Sequence, residues 1–87
     1  MAATHRLIEQ WASGDDYTPD RRDMWLFKAE PHLGVDSDTW LIEYRRGGKG
    51  RPIQRRTFEG EEAARWGLAA WQEQCRQEAA GADWVRV

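Results

Sequence analysis

The chain holds one cysteine, Cys75, so an internal disulfide is excluded and a reduced, cytoplasmic setting is expected. It holds two histidines, His5 and His32, and neither has a cysteine or second histidine at ligand spacing, so no metal site is expected. It holds two lysines against eleven arginines, a bias that fits GC-rich coding as well as planar, bidentate recognition of phosphate, carboxylate or guanine. No apolar run approaches the roughly 20 residues of a membrane span. The opening Met1-Ala2-Ala3-Thr4-His5-Arg6 leads into a mixed polar stretch and lacks the apolar centre of a secretory signal.

Catalytic patterns are missing too. Gly47-Gly48-Lys49-Gly50 is followed by strand-like sequence, whereas a phosphate-binding loop opens a helix. Glu61 and Glu62 are neighbours on a helix, so they diverge and cannot flank a substrate as an acid–base pair. Cys75 falls on an apolar stripe, where a thiol behaves as a small hydrophobe. The chain therefore reads as non-enzymatic, with no cofactor and no metal.

What is present fits one small domain of 87 residues, with a core over about 24–79 and tails at 1–3 and 80–87 that are flexible or docked. A domain of this size buries about 60–65% of its unfolded surface. Six tryptophans help to build a core from few residues, since each aromatic buries roughly 150–250 Å². Charge is segregated along the sequence. Residues 45–56 hold six positive charges and no negative one, while the remainder sums to −8, giving the net charge of −2.

The pattern predicts an α+β fold in the order α-β-β-β-α. Residues 4–12 read as a short helix with Thr4 at its N-cap, because Leu7, Ile8 and Trp11 share one helical face. Residues 13–23 read as a loop. Met24 to Glu30, Thr39 to Arg46 and Arg51 to Phe58 read as three antiparallel strands. Gly47-Gly48-Lys49-Gly50 forms the turn between the last two, where positive φ is needed. Ile53 and Phe58 fall on opposite faces of a regular strand, which suggests a bulge between them. Residues 61–79 carry the strongest helix signal: Gly60 before it, Glu61 and Glu62 in its first turn, and Ala64, Gly67, Leu68, Trp71 and Cys75 as the stripe that lies on the sheet.

The stretch Ser37-Asp38-Thr39-Trp40, Tyr44-Arg45-Arg46-Gly47-Gly48-Lys49 and Arg55-Arg56-Thr57-Phe58-Glu59-Gly60-Glu61-Glu62-Ala63-Ala64 is similar to the arm-type DNA-binding domain of tyrosine integrases, a relative in shape of the plant ethylene-response-factor domain. The resemblance covers about residues 37–72. It implies a three-stranded sheet laid in the DNA major groove, with arginines reading bases, and a role in a mobile element or as an accessory regulator. The element order also resembles the double-stranded-RNA-binding domain. The basic helix start of that family is replaced here by Glu61 and Glu62, which would repel the phosphates.

Arg45, Arg46, Lys49, Arg51, Arg55 and Arg56 are thus the candidate nucleic-acid contacts. Phosphate contacts would give a salt slope near −0.9 per contact, and arginine forks on guanine would add roughly 1–3 kcal/mol of discrimination each. The alternative is a protein-binding module or small inhibitor. It would set the basic hairpin against an acidic partner, or a ridge of Trp66 flanked by Ala63 and Ala70 against an apolar one. Trp66 lies about 160–200° from the core stripe, so it is solvent-facing unless the N-terminal helix or Trp84 covers it. The third reading is a solvated hairpin, with Arg45 and Arg55 paired to Glu43 or to Asp15, Asp16, Asp20 and Asp23. Two observations separate the readings. DNA binding expects the arginines of both arms on one sheet face; protein binding expects them scattered, or Trp66 uncovered.

Overall fold

The computed structural model describes residues 5–15, 18–30, 38–78 and 83–87. Strands β1 (His5–Ser13), β2 (Arg22–Ala29), β3 (Thr39–Arg46) and β4 (Ile53–Glu59) precede helix α1 (Glu61–Glu78), and β5 (Val85–Arg86) follows it. The strands form one sheet in the order β4-β3-β2-β1-β5, and every paired neighbour is antiparallel. The α+β class and the single C-terminal helix agree with the sequence. The strand count does not: the sheet has five strands where three were expected.

The expected N-terminal helix is replaced by β1. Nine residues form a marginal helix in isolation, whereas as a strand they satisfy the backbone edge of β2 from His5↔Ala29 to Ser13↔Arg22. The helix-like spacing of the apolar residues has a local cause. The register shifts between Leu7 and Glu9, so Leu7 lies opposite Phe27 on one face while Ile8 and Trp11 pack against the core on the other. An extra residue in one strand mimics a helical period here. The assignment of Thr4 as a cap lies outside the described residues.

One side of the sheet is the core. Met24, Leu26, Trp40, Ile42 and Tyr44 meet Ala64, Leu68, Trp71 and Cys75 of α1, with Ile8, Trp11, Phe58 and Trp84 packed around them. Burying each large apolar side chain stabilises by roughly 1.5–3 kcal/mol before conformational entropy is subtracted. The Tyr44 and Trp71 rings pack tilted at 49° with centroids 5.2 Å apart, in the range favoured by aromatic quadrupoles. The described part of the C-terminal tail is docked: Val85 and Arg86 pair with β1, and the Trp84 indole donates to the Gln72 carbonyl at 3.1 Å.

The hairpin of β3 and β4 positions the basic segment. Its turn has positive φ at Gly47, Gly48 and Gly50, as the glycine run requires. The expected bulge between Ile53 and Phe58 is absent, because pairing is continuous from Thr39↔Glu59 to Arg45↔Ile53. β4 is an edge strand that α1 covers only partly. Phe58 therefore joins the core, while Ile53 on the other face stays 40% exposed. A regular strand with half a cover looks like a poorly alternating one. No helix among the described residues is long and apolar enough to cross a membrane.

Candidate functional site

The six cations of the hairpin divide between the two sheet faces. Successive strand residues point to opposite sides, so the doublets Arg45-Arg46 and Arg55-Arg56 place one guanidinium on each. Arg45 lies opposite Ile53, and Arg55 lies opposite Glu43, on the face away from α1. Both are neutralised there. Arg45 Nη2 stands 3.0 Å from Asp23 Oδ2, and its guanidinium lies 5.1 Å from the Trp25 ring centre. Arg55 Nε stands 3.4 Å from Glu43 Oε2. Asp23 is 2% exposed and also accepts from Arg21 Nε at 3.1 Å, so one buried carboxylate ties two arginines together.

Arg46 and Arg56 face the helix side, where they line a cleft beside Trp71. The Arg56 guanidinium lies 3.9 Å from the Trp71 ring centre. Lys49 and Arg51 occupy the turn, with Arg51 packed under Gly47. The structure thus gathers the basic segment by strand order and separates it by face.

Trp66 is uncovered. It is 74% exposed, while the other five tryptophans are buried or half-buried. Residues 5–13 are a strand of the sheet, and Trp84 docks on Gln72 and the core, so neither covers the ridge. Ala63 and Ala70 are exposed one helical turn to either side of Trp66. Next to this ridge is a shallow depression lined by Asp38, Glu59, Gly60, Glu61 and Glu62. The sequence shows Glu59, Glu61 and Glu62 as neighbours. Asp38 joins them because the hairpin register sets Thr39 opposite Glu59, and because the Gly60 N–H donates to the Asp38 carbonyl at 2.7 Å. This acidic rim was not singled out from sequence.

The rim is held in place from below. Arg65 Nε donates to Glu61 Oε2 at 2.9 Å, and Arg65 Nη1 donates to Glu9 Oε2 at 2.6 Å, fastening α1 to β1. The Arg65 hydrogen bond is the main reason that Glu9 titrates below the usual carboxylate range. Thr39 donates to Glu59 at 3.2 Å, and the Trp40 indole donates to Asp38 at 3.2 Å. Among the described residues only Glu61 of these four carboxylates has a cationic partner.

Cys75 is 2% exposed on the core stripe, and burial pushes its thiol pKa up, which disfavours the nucleophilic thiolate. His5 is exposed on β1, and His32 lies outside the described residues. No group of three or more His, Cys, Asp or Glu side chains among the described residues is placed to hold a metal ion. Comparison with known proteins finds no match among family models, curated proteins or solved structures.

Proposed function

We propose that this chain is a non-enzymatic protein-binding module, and that it docks a basic segment of another protein on the Trp66 ridge. The observation that carries this reading is a tryptophan 74% exposed on a rigid helix beside four carboxylates. Tryptophan is enriched among the residues that dominate binding energy. Its ring face attracts arginine and lysine, by about 0.5–1 kcal/mol when exposed and about 2 kcal/mol when desolvated. The small side chains of Ala63 and Ala70 let a partner backbone approach the ring. The carboxylates supply the charge that steers a cationic partner.

Duplex DNA is the competing reading. Lys49 and Arg51 in the turn, with Arg46 beside them, have no carboxylate partner among the described residues and would meet phosphates. Arg45 and Arg55 are already paired, and Arg46 and Arg56 lie on the other sheet face from them, so one groove could not engage all six. This scatter supports a protein partner over a duplex.

The test is fluorescence anisotropy with three labelled probes: a peptide alternating arginine and leucine, an acidic peptide of equal length, and a random duplex. Each is titrated at about 50 and about 200 mM salt. The expected result is binding of the basic peptide, weakened by salt and lost in Trp66→Ala. Equal binding by Trp66→Ala and wild type sinks the ridge. Preference for the duplex, lost in Arg46→Glu/Arg51→Glu, establishes the DNA reading instead.

A further inference from the structure

We infer that the cleft between the β3–β4 hairpin and the C-terminal half of α1 binds the oxyanion group of a small molecule, on a surface separate from the Trp66 ridge. The cavity is about 230 Å³. That lies below the roughly 300–1,000 Å³ of pockets for drug-sized ligands, so it suits one compact group.

Its lining is cationic and rich in donors. Arg46 and Arg56 reach it from β3 and β4, with Tyr44, Gln54 and Gln74 between them. Arg22 stands on the same sheet face, directly opposite Arg46. It is 2% exposed, and its Nε has no hydrogen-bond partner. Like charges facing each other across a strand pair are unfavourable, and a buried guanidinium without a counter-charge is costly. Among the described residues, none of the three has a carboxylate within salt-bridge distance. Elsewhere on the molecule, Arg45 and Arg55 each have one and Arg65 has two. Among the described residues, the fold thus leaves the cations at the cleft without a counter-charge, as it does Lys49 and Arg51 in the turn.

The other groups fit the same ligand. The Trp71 ring fixes the Arg56 guanidinium at 3.9 Å, which pre-organises its fork for a planar or tetrahedral oxyanion. Tyr44 also lines the cleft, with its hydroxyl engaged by Cys75; burial and that hydrogen bond raise its pKa. The Gln54 and Gln74 amides add further donors. One group opposes: Glu78 also lines the cavity, near the carbonyl end of α1. Two lining arginines, with Arg22 buried behind Arg46, against one carboxylate still leave a positive site, and the opposition gives the test its sign.

The experiment titrates wild-type protein with inorganic phosphate, with acetate as the carboxylate arm and chloride at matched ionic strength as the control. The indole N–H NMR signal of Trp71 and the side-chain amide signals of Gln54 and Gln74 report occupancy. Wild type is expected to respond to an oxyanion and not to chloride. Arg46→Gln and Arg56→Gln, both at exposed positions, should weaken binding about tenfold each while circular dichroism stays unchanged. Glu78→Gln should tighten it about threefold or more by removing the one opposing charge. Preference for phosphate assigns a phosphate group as the ligand, and preference for acetate assigns a carboxylate; either supports the site. A response equal to that of chloride, arginine variants that bind like wild type, or a Glu78→Gln variant with no gain overturns it.

Discussion

Gly67→Ala tests how α1 sits on the sheet. In an isolated helix this change is favourable by about 1 kcal/mol, because glycine is a poor helix former. Here the added methyl would stand 2.4 Å from Phe58 Cζ and 2.5 Å from Cε1, where real contacts of this kind stay beyond 3.0 Å. Either the ring or the helix must move by about 1 Å, and overpacking of this sort costs about 2–3 kcal/mol. The net effect is a destabilisation of about 1–2 kcal/mol. For a domain of this size that lowers Tm by roughly 5–15 °C. Urea unfolding of wild type, Gly67→Ala, Phe58→Ala and the double variant isolates the contact. With the ring removed, Gly67→Ala should turn stabilising by about 1 kcal/mol. Stabilisation of the parent chain by Gly67→Ala, or a cost that persists without Phe58, would refute the overpacking.

Asp23→Asn should cost about 2–3 kcal/mol, read as a lower urea midpoint, because it leaves two guanidiniums around a site 2% exposed; the upper end of the usual range is discounted since both arginines are partly solvated. Glu9 titrates below its unfolded value, so its contribution is complete above about pH 4.3 and is lost as pH falls through the folded pKa. Urea midpoints at about pH 5 and about pH 3 should therefore differ less in Arg65→Ala than in wild type. Trp66→Ala should change stability by no more than about 0.5 kcal/mol in thermal unfolding, since the ring is 74% exposed and outside the core.

The hairpin, its glycine turn and the long helix were legible because each has a local signal: alternation over 39–46, glycines where φ is positive, and a stripe that returns as Ala64, Leu68, Trp71 and Cys75. β1 was illegible because its register shift between Leu7 and Glu9 puts apolar residues at helical spacing, and a nine-residue segment has no further length to decide the period. β5 has two residues and exists through its partners Trp11 and Ala12, which are far away in sequence. The division of the arginines was present in the doublets, since neighbours in a strand cannot share a face. The solvated-hairpin reading named Arg45 and Arg55 as the members that pair with Glu43 or the acidic stretch 15–23, and they meet Asp23 and Glu43. Which carboxylate each one meets was not legible, because Asp23 and Arg45 become neighbours only through the β2–β3 register. The acidic rim was half legible, as Glu59, Glu61 and Glu62 adjoin in sequence while Asp38 arrives from the far side of the hairpin.

A net charge of −2 conceals a polarised molecule. Asp38, Glu59, Glu61 and Glu62 gather where β3 begins and α1 starts; Arg46, Lys49 and Arg51 gather where β3 ends. The strand between them has eight residues, which at about 3.3 Å each separates the two ends by about 25 Å. That distance exceeds a Debye length of about 8 Å at physiological salt, so each end acts on its own partner with little influence on the other. Trp66→Ala should leave phosphate affinity unchanged, Arg46→Gln should leave basic-peptide affinity unchanged, and the double variant should show both losses independently, within about 0.5 kcal/mol. Coupling larger than that would mean that one ligand spans the molecule or that the helix shifts between two positions, and the picture of two separate surfaces would have to be abandoned.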